Sequence, residues 1–466
     1  MKKIALSILR GGIAYNILHN DFYRILRERS EVLLLTPAAG DPRFIKEFGG
    51  HPNVRIIALP KYSWTPADRF MNNLHRLLIW NPSVDIQFRY GFLETHRMRS
   101  AFVYYLTKAI FVPLSKISIL RRFVRWLDYT FAQRQAVGEL EELLRREQPD
   151  CVVATSVAGD EDAALLKAAA KCAVPTAAAF KSWDNPSKFS LRAKSDVLMV
   201  WNEYMRDCAL KFQGYGPGEV AVVGMPQYDA FVDPKNKLGY EDFCKIFGLD
   251  ASRKTILFGS EGKYSPHDAE VAEMIAEMMM RDEFMTPCQL LIRPHYGHPG
   301  DEKKFTRFIG KPHVAIDLFC SKSRVLKDEW DYSREFAGRF INSLYHAAVV
   351  VQTCSTLTLD AAALDRPIVS IAFDGVEKLP YEKSVARFYD KEYFSAALVT
   401  GATHKVYSKD ALREAINAYL KDPLRDGAGR QALRERFCGA LDGKSGQRLA
   451  EAVLGMNMQH ILPPRS

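Results

Sequence analysis

Paired cysteines are missing from this sequence. Its eight cysteines stand singly, with no C-x-x-C pair and no regular spacing. A disulfide framework or a structural zinc site needs cysteines at short, recurring intervals. We therefore expect the cysteines to be reduced thiols, as in a cytoplasmic protein, and we expect no bound metal.

Long apolar runs and internal repeats are missing too. No window reaches the roughly 18 uninterrupted apolar residues that a membrane span needs. The opening residues, MKKIALSILRGG, resemble the start of a signal peptide, but their apolar run ends at Arg10. A first β-strand explains this segment better than a targeting signal does. We also find no repeat of solenoid period and no low-complexity tract.

Three common signatures of phosphate chemistry are absent as well. The chain carries neither the glycines of a Walker loop nor a G-x-G-x-x-G fingerprint. No Asp-x-Asp pair stands at a position plausible for a divalent metal. A phosphate site in this protein would have to use other donors.

A large apolar fraction and a surplus of positive charge are present. With 466 residues and 47% apolar content, the chain can bury the cores of two domains. Lysine and arginine exceed aspartate and glutamate by 64 − 55 = 9 charges. A basic surplus suits phosphate-rich substrates, nucleic acid or an anionic membrane, and the total alone does not separate them.

The clearest motif is a β-α-β unit in the second half. Its predicted elements are a strand at 347–351, a polar turn at 352–356, a helix at 357–364 and a strand at 368–373. Ser355 and Thr356 stand at the helix start, where unpaired N–H groups and the helix dipole attract a diphosphate. Asp360 follows one turn later and could accept from a ribose hydroxyl. An ordinary helix cap is the alternative.

Strands and helices alternate along most of the chain. The other predicted strands lie at 4–9, 31–36, 54–58, 150–155, 174–180, 196–200, 255–258, 289–293, 314–317 and 397–399. Such alternation predicts an α/β fold with parallel, doubly wound sheets. We expect two Rossmann-like domains facing a cleft, at 1–215 and 216–466, with the last helices packing back on the first domain.

Residues 61–131 interrupt this alternation with basic and aromatic side chains. Helices are predicted at 101–113 and 117–126. Cations beside large apolar residues are typical of helices on an anionic membrane, and a solvated basic face on packed hairpins is the alternative. The basic residues are His96, Arg97, Arg99, Lys108, Lys116, Arg121, Arg122 and Arg125.

Two loops of small residues follow the first strands of the two predicted domains. One holds Gly11 and Gly12, and the other holds Gly259 and Ser260. Small residues there let backbone N–H groups approach a ligand at the carboxyl end of a sheet. A tight turn alone would also use glycine.

Four short motifs follow one another between residues 182 and 367. They are S-W-D-N-P-S-K from Ser182, G-M-P-Q-Y-D from Gly224, R-P-H from Arg293, and S-T from Ser355 with a later aspartate and proline. In order and approximate spacing they resemble the W-H-G-T-P-x-K, G-x-P-R-x-D, R-x-H-P and Ser-Ser motifs of bacterial CDP-glycerol glycerophosphotransferases. That family belongs to the GT-B glycosyltransferase group, which also resembles the non-hydrolysing UDP-N-acetylglucosamine 2-epimerases.

The resemblance implies a donor nucleotide on the second domain and an acceptor on the first. Arg293 and His295 would neutralise the diphosphate in place of a metal, although purely structural contacts are the alternative. The predicted donor-binding residues are Gly259, Ser260, Arg293, Ser355, Thr356 and Asp360, the acceptor-side residues Gly11, Gly12 and Lys188, and the catalytic residues Asp184 and His295.

Two residues depart from the family's motifs. Asp184 replaces the histidine that follows tryptophan, and Gln227 replaces the arginine of the second motif. A partly desolvated aspartate can serve as the general base of an inverting transfer, although Trp-Asp-Asn-Pro is also good turn chemistry. His19 and Asp21 are the next candidates for the base. The departures favour a sugar-nucleotide donor over glycerol phosphate transfer.

The sequence therefore predicts a GT-B-like transferase of bacterial surface glycan synthesis. It would move a glycosyl group, or less readily a polyol phosphate, from a nucleotide-activated donor to a glycan or lipid-linked acceptor, without a cofactor or nucleic acid. One alternative is a sugar-nucleotide 2-epimerase, and another is a non-catalytic membrane-associated protein that binds sugar nucleotides. The basic insertion predicts a peripheral position on the inner face of the membrane.

Overall fold

The computed structural model describes residues 1–91, 100–323, 325–328 and 330–456. Within these ranges the chain forms two parallel β-sheets. The strands are β1 (Lys2–Ser7), β2 (Ser30–Thr36), β3 (Val54–Ala58), β4 (Cys151–Ala154), β5 (Thr176–Ala179), β6 (Val197–Val200), β7 (Val220–Val222), β8 (Lys254–Gly259), β9 (Cys288–Arg293), β10 (Val314–Ile316), β11 (Ala347–Gln352), β12 (Ile368–Ile371) and β13 (His404–Val406).

Helices connect most of the successive strands. They are α1 (Gly11–Leu18), α2 (Asp21–Arg29), α3 (Pro42–Phe48), α4 (Pro66–Leu77), α5 (Pro82–Tyr90), α6 (Ala101–Ser115), α7 (Ser118–Phe131), α8 (Arg134–Glu147), α9 (Asp160–Lys171), α10 (Glu203–Cys208), α11 (Gln227–Val232), α12 (Tyr240–Phe247), α13 (Asp268–Met280), α14 (Arg334–Tyr345), α15 (Leu357–Ala363), α16 (Glu392–Leu398), α17 (Lys409–Lys421), α18 (Gly427–Leu433) and α19 (Ser445–Leu454). Two π-helical segments, Ala209–Gln213 and Arg434–Cys438, extend α10 and α18.

The first sheet has the strand order β3-β2-β1-β4-β5-β6-β7. All of its strand pairs are parallel. Val32, Leu33, Leu34 and Leu35 of β2 are at most 1% exposed, so this strand is buried on both faces. A parallel sheet requires such continuous apolar runs because its crossover helices cover both sides.

The second sheet has the order β10-β9-β8-β11-β12-β13, again entirely parallel. Its central strand β11 is the first strand of the predicted β-α-β unit. The structure thus confirms the α/β class with two doubly wound, Rossmann-like domains in a GT-B-like arrangement.

The predicted strand at 397–399 is wrong. These residues lie at the end of α16, and the edge strand of the second sheet is β13, at His404–Val406. Tyr393, Phe394 and Ala397 form the buried face of that helix. A short apolar run on a buried helix cannot be distinguished from a buried strand by periodicity alone.

The first sheet extends beyond the predicted domain boundary at residue 215. Its edge strand β7, Val220–Val222, pairs with β6. The last described residues also return to this domain, because the Lys2 ammonium donates to the backbone oxygens of Leu454 and Met456 at 2.7 and 2.6 Å. The N-terminal domain is therefore built from both ends of the described chain.

A buried cluster of charges anchors the insertion that was predicted at 61–131. Asp128 on α7 is fully buried, and its carboxylate accepts from Arg192 Nε at 2.8 Å. His75 Nε2 on α4 lies 3.0 Å from the same carboxylate, and Lys167 on α9 also contacts it. Buried charges persist only when they are paired in this way. His96, Arg97 and Arg99 lie outside the described residues.

The opposite side of the insertion carries exposed apolar side chains. Among the described helices, none alone is long and apolar enough to cross a membrane, whereas α6 and α7 together meet that test with a bend of 102° between them. The exposed apolar residues of the two helices and their junction are Phe102, Val103, Tyr105, Leu106, Ile110, Ile117, Ile119, Phe123, Trp126 and Phe131.

Candidate active site

Loops that follow β5, β8 and β11 meet at a polar cleft of about 100 Å³. Open α/β sheets bind ligands at the carboxyl ends of their strands. Because β5 belongs to the first sheet and the other two strands to the second, both domains line the cleft. Its residues are Trp183, Asp184, Lys188, Glu261, Tyr264, Cys354, Ser355, Thr356, Phe388, Lys391 and Tyr393.

Ser355 and Thr356 lie between β11 and the start of α15. Ser355 Oγ accepts from the backbone N–H of Leu357 at 3.3 Å. Thr356 Oγ1 accepts from the indole Nε1 of Trp183 at 3.4 Å. Trp183 is buried at 2% exposure, so this bond ties the loop of the first domain to the helix start in the second.

Asp184 forms an ion pair with Lys188 at the wall of the cleft. Burial raises the pKa of Asp184, but the Lys188 ammonium and its hydrogen bond outweigh burial, so the pKa lies below its usual value. Asn185 Nδ2 also donates to Asp184 Oδ1 at 3.2 Å. Asp184 is therefore a carboxylate at neutral pH.

Two lysines give the cleft its positive charge. Lys188 Nζ lies 4.9 Å from the centre of the Tyr393 ring, and Lys391 Nζ lies 4.5 Å from that of Phe388. Within the described ranges, no group of three or more His, Cys, Asp or Glu side chains is arranged to hold a metal ion. A phosphate bound here would meet ammonium groups and hydroxyls.

Glu261 is a second acidic residue in the cleft, and it is not among the residues predicted from the sequence. Burial raises the pKa of Glu261 to about 8, with a smaller contribution from Asp268 and with Ser355 and two lysines opposing the rise. Two carboxyl groups in one cleft thus have different protonation states at neutral pH, as acid and base partners do. The sequence signal was an acidic residue inside a loop of small residues after a strand.

Gly259 and Ser260 hold this loop in place, and neither lines the cleft. A Cβ at Gly259 would lie 2.3 Å from Leu357 Cδ2, so glycine is required by close packing. The Ser260 hydroxyl donates to Asp268 Oδ2 at 2.7 Å, and its backbone N–H donates to the Arg293 oxygen at 3.0 Å. Both donors of Ser260 therefore bind protein groups rather than facing the cleft.

Arg293 also lies outside the cleft, in contrast to its predicted contact with the donor. Its Nη1 donates to Asp317 Oδ2 at 2.5 Å, and the side chain is 6% exposed. The guanidinium lies 4.7 Å from the Phe340 ring and 4.9 Å from the Tyr296 ring. A buried, paired arginine of this kind stabilises the domain, and the sequence did not reveal that Asp317 would neutralise it.

His295 faces a separate cluster near the other domain. Its ring stacks on His298 with centroids 4.0 Å apart and meets Trp330 edge-on at 6.0 Å. Burial lowers the pKa of His295 to about 4, so the imidazole is neutral at neutral pH. A neutral ring cannot supply the positive charge that its predicted role with a diphosphate required.

Asp360 is buried behind the cleft rather than facing a ribose. It accepts from Tyr228 Oη at 3.0 Å and from Gln227 Nε2 at 3.1 Å. Burial raises the pKa of Asp360 to about 7, although the hydrogen bonds from Tyr228 and Gln227 lower it. Gln227, which replaces the family's arginine, thus acts as a neutral partner for this carboxyl.

Gly11 and Gly12 begin α1, where the sequence predicted only a turn. Asp328 Oδ1 accepts from the backbone N–H of Gly11 at 2.7 Å and of Gly12 at 3.4 Å. Lys181 Nζ donates to Asp328 Oδ2 at 3.0 Å. The predicted acceptor-side glycines therefore bind a carboxylate of the protein itself, which the separation in sequence concealed.

His19 and Asp21 line a different pocket from Asp184. His19 Nε2 contacts the backbone oxygen of Tyr332, and burial lowers the pKa of its imidazole. Asp21 pairs with Arg24 at 2.9 Å on the helix surface. Of the residues assigned from the sequence, the structure brings Asp184, Lys188, Ser355 and Thr356 together.

A family model described as CDP-glycerol:poly(glycerophosphate) glycerophosphotransferase matches residues 176–455. The match begins at β5 and includes every residue that lines the cleft. A comparison with curated proteins finds no sequence match.

Solved structures resemble the chain over its whole length. A Listeria monocytogenes protein described as a candidate UDP-N-acetylglucosamine 2-epimerase has 13% identity and a TM-score of 0.55, with 97% of this chain and 96% of that chain covered. The UDP-GlcNAc 2-epimerase of Neisseria meningitidis, bound to UDP-GlcNAc, has 11% identity and a TM-score of 0.54, covering 98% and 100%. That of Methanocaldococcus jannaschii has 14% identity and a TM-score of 0.51, also covering 98% and 100%. At these identities the likeness establishes the fold alone.

Proposed function

The chain belongs to the CDP-glycerol:poly(glycerophosphate) glycerophosphotransferase family, and we propose that it transfers a polyol phosphate from a cytidine diphosphate donor to an acceptor hydroxyl. The family model covers more than half of the chain. This match outweighs the two substitutions in the motifs, Asp184 and Gln227, that favoured a sugar-nucleotide donor. One departure, Gln227, bonds to buried Asp360 and does not line the cleft. The acceptor is a growing polymer of the cell envelope or its lipid-linked primer.

The observation that carries this proposal is the cleft where both domains meet. The donor diphosphate lies between the hydroxyls of Ser355 and Thr356 and the ammonium groups of Lys188 and Lys391. Preorganised cations and donors of this kind stabilise the charge that develops on a leaving phosphate. The polar lining of the cleft and its lysines support this placement.

Asp184 is the general base in the proposed reaction. Lys188 now holds its pKa down, but a bound diphosphate would compete for that ammonium. Once the ion pair weakens, burial dominates and the pKa of Asp184 rises toward the range of a useful base. The acceptor hydroxyl then attacks the phosphorus that carries the polyol, and cytidine monophosphate leaves.

A thermal-shift panel of CDP, UDP, GDP and CMP tests the donor assignment. A ligand at 100 times its dissociation constant stabilises the folded chain by about 2.7 kcal/mol. We expect CDP to give the largest shift. A larger shift with UDP, together with turnover of UDP-N-acetylglucosamine without any acceptor, would instead favour an epimerase.

The exposed face of α6 and α7 is proposed to bind an anionic membrane surface. Phe102, Ile119, Phe123 and Trp126 are each more than half exposed, which is unusual for such side chains in contact with water. Lys116 in the turn between the two helices and Arg122 on α7 are exposed. Apolar side chains flanked by cations fit the headgroup region of a negatively charged bilayer.

Sedimentation with vesicles of anionic and of neutral lipid tests the membrane proposal. Lys116→Glu with Arg122→Glu, and separately Phe123→Ser with Trp126→Ser, should each reduce sedimentation at low salt while CDP binding is kept. Arg125 must be left intact, since it donates to the backbone oxygens of Leu191 and Gln213 at 3.1 Å. Failure of the wild-type chain to sediment with anionic vesicles would contradict the proposal.

A further inference from the structure

One of the two carboxyl oxygens of Glu261 lacks a hydrogen bond in the cleft. Its Oε2 atom is buried and has no hydrogen-bond partner among the described residues, although the Ser355 hydroxyl interacts with the same carboxyl group. A buried polar atom without a partner carries a cost that is seldom left uncompensated. The cleft beside it is the proposed place of the donor diphosphate, so a ligand atom bound there would be placed to supply the missing partner.

The backbone fixes Glu261 in this position from both sides. Gly259, two residues before it, leaves no space for a Cβ beside Leu357, and Gly262 follows it with a φ of 65°. A Cβ at Gly262 would lie 1.9 Å from His298 Nδ1, so only glycine fits there. Asp268 Oδ2 accepts from the Glu261 backbone N–H at 2.8 Å. The side chain thus leaves a rigid loop.

Burial keeps Glu261 protonated at neutral pH against the lysines around it. Burial has the largest effect and raises its pKa to about 8, and the Asp268 carboxyl adds to this rise. The Ser355 hydroxyl and two ammonium groups oppose it, while Asp184 in the same cleft is ionised beside Lys188. The groups that face Glu261 are Ser355, Asp268, Lys391, Lys188, Cys354 and Tyr389.

We propose that Glu261 acts as a carboxylic acid that donates its O–H to a phosphate oxygen of the bound donor and passes the proton to the leaving nucleotide. The inference rests on the proposed polyol phosphate transfer and adds the acid partner of Asp184. A neutral acid suits this place because a carboxylate would repel the diphosphate.

Asp184 and Glu261 together accept and supply the protons that this step requires. The acceptor oxygen forms a bond to phosphorus, and its proton moves to Asp184. The bond between that phosphorus and the bridging oxygen breaks, the electron pair stays on the oxygen, and the oxygen takes the proton of Glu261. Cytidine monophosphate leaves in its protonated form. Water then returns the proton of Asp184 to Glu261.

Calorimetric titration with CDP at pH 8.5 measures this proton directly. Repeating the titration in two buffers of different ionisation enthalpy gives the number of protons taken up on binding. Free Glu261 is mostly ionised at pH 8.5, so the wild-type chain should take up about three quarters of a proton. Glu261→Gln should take up almost none. Glu142→Gln, at an exposed glutamate of α8 outside the cleft, is the matched control and should behave like the wild type.

Turnover of Glu261 variants provides a second test of the proposed acid. Glu261→Gln keeps the shape and a hydrogen-bond donor, so CDP binding at pH 7 should persist while turnover falls about 100-fold. Glu261→Asp keeps an acid and should recover part of the turnover, with an alkaline limb still present in its pH profile. A structural role alone would affect folding and leave the pH profile unchanged.

The outcomes separate this inference from the proposed function. If CDP and UDP both fail to bind, the donor site itself is wrong and the inference falls with it. If CDP binds with equal proton uptake in the wild-type and Glu261→Gln chains, the donor site stands and the acid role of Glu261 is overturned.

Discussion

Two helix starts at the carboxyl edges of the two sheets differ in what they bind. The start of α1 is filled by Asp328, whose carboxylate accepts from Gly11 at 2.7 Å and pairs with Lys181 at 3.0 Å. The start of α15, at Ser355 and Thr356, instead opens into the polar cleft. The same local geometry therefore serves an internal contact in one domain and a solvent-facing site in the other.

A helix start can bind an external anion only where the surrounding side chains leave room for a ligand. Both starts follow a parallel strand and both carry small or hydroxylated residues. At α1 a loop from the second domain brings its own carboxylate, and this carboxylate satisfies the N–H groups. At α15 the neighbouring side chains are lysines, hydroxyls and a protonated glutamate. We regard the second site as the reaction centre and the first as a clamp between domains.

The largest effect should come from Asp184→Asn in the open cleft. Asparagine keeps the size and the turn chemistry of aspartate but cannot take a proton. Turnover should fall by roughly 10²-fold to 10⁴-fold, the usual worth of a general base, while CDP affinity is kept. Steady-state kinetics and a CDP titration measure the two quantities. Asp242→Asn, at an exposed helix position, is the control. Full activity in Asp184→Asn would reduce the residue to a turn former.

Removing both hydroxyls at the open helix start should weaken nucleotide binding. The Ser355→Ala, Thr356→Ala double variant loses two polar groups beside a charged ligand, at a cost of about 1 to 3 kcal/mol in binding free energy. Calorimetric titration with CDP measures the loss. Thr306→Ala is the control, because the Thr306 hydroxyl donates to the backbone oxygen of Lys303 in its own helical turn. This variant should bind CDP like the wild type. Unchanged affinity in the double variant would move the nucleotide elsewhere.

Asp360→Asn tests whether the buried side of α15 is structural. The pKa of Asp360 is about 7 in the folded chain, because burial raises it, and near 3.9 in an unfolded chain. Between these values only the folded chain holds the proton, so the free energy of unfolding falls as pH rises from about 4 to 7. Asparagine removes this loss, so relative to the wild type the variant should gain about 4 kcal/mol in the free energy of unfolding between pH 4 and pH 8.

Chemical denaturation at both pH values measures this difference. Gln227→Arg is the companion variant, since a cation beside Asp360 should lower its pKa and flatten the same slope. CDP affinity should not change in Asp360→Asn. A tenfold loss of affinity would return Asp360 to the ribose contact that the sequence predicted.

The smallest effect on the reaction should come from the filled helix start. Asp328→Ala removes two backbone hydrogen bonds and an ion pair, so the free energy of unfolding should fall by about 1 kcal/mol. The dissociation constant of CDP should stay within about twofold, because Asp328 does not line the cleft. Thermal unfolding and titration measure both quantities. A large loss of CDP affinity would mean that the two helix starts form one site.

The sequence predicted the fold and part of the site for physical reasons. Apolar strands with helical spacers determine a parallel sheet, and small polar residues after a strand mark its carboxyl edge. Asp184, Lys188, Ser355 and Thr356 could be assigned together because they follow strands within family motifs, and all four line one cleft. Long-range pairing could not be predicted: Asp317 neutralises Arg293, and Asp328 fills the start of α1. The protonation of Glu261 also depends on burial, which no local pattern encodes.

In the proposed reaction a polyol phosphate is transferred and a nucleoside monophosphate leaves. The direct measurement is chromatography of the nucleotide released from CDP-glycerol when the full chain is incubated with bacterial membranes as the acceptor. Glycosyl transfer would leave a nucleoside diphosphate, because the bond to the sugar carbon breaks. We predict release of CMP in the wild type and at least about 100-fold less in Asp184→Asn. Absence of CMP, together with release of UDP from UDP-N-acetylglucosamine under the same conditions, would contradict the account.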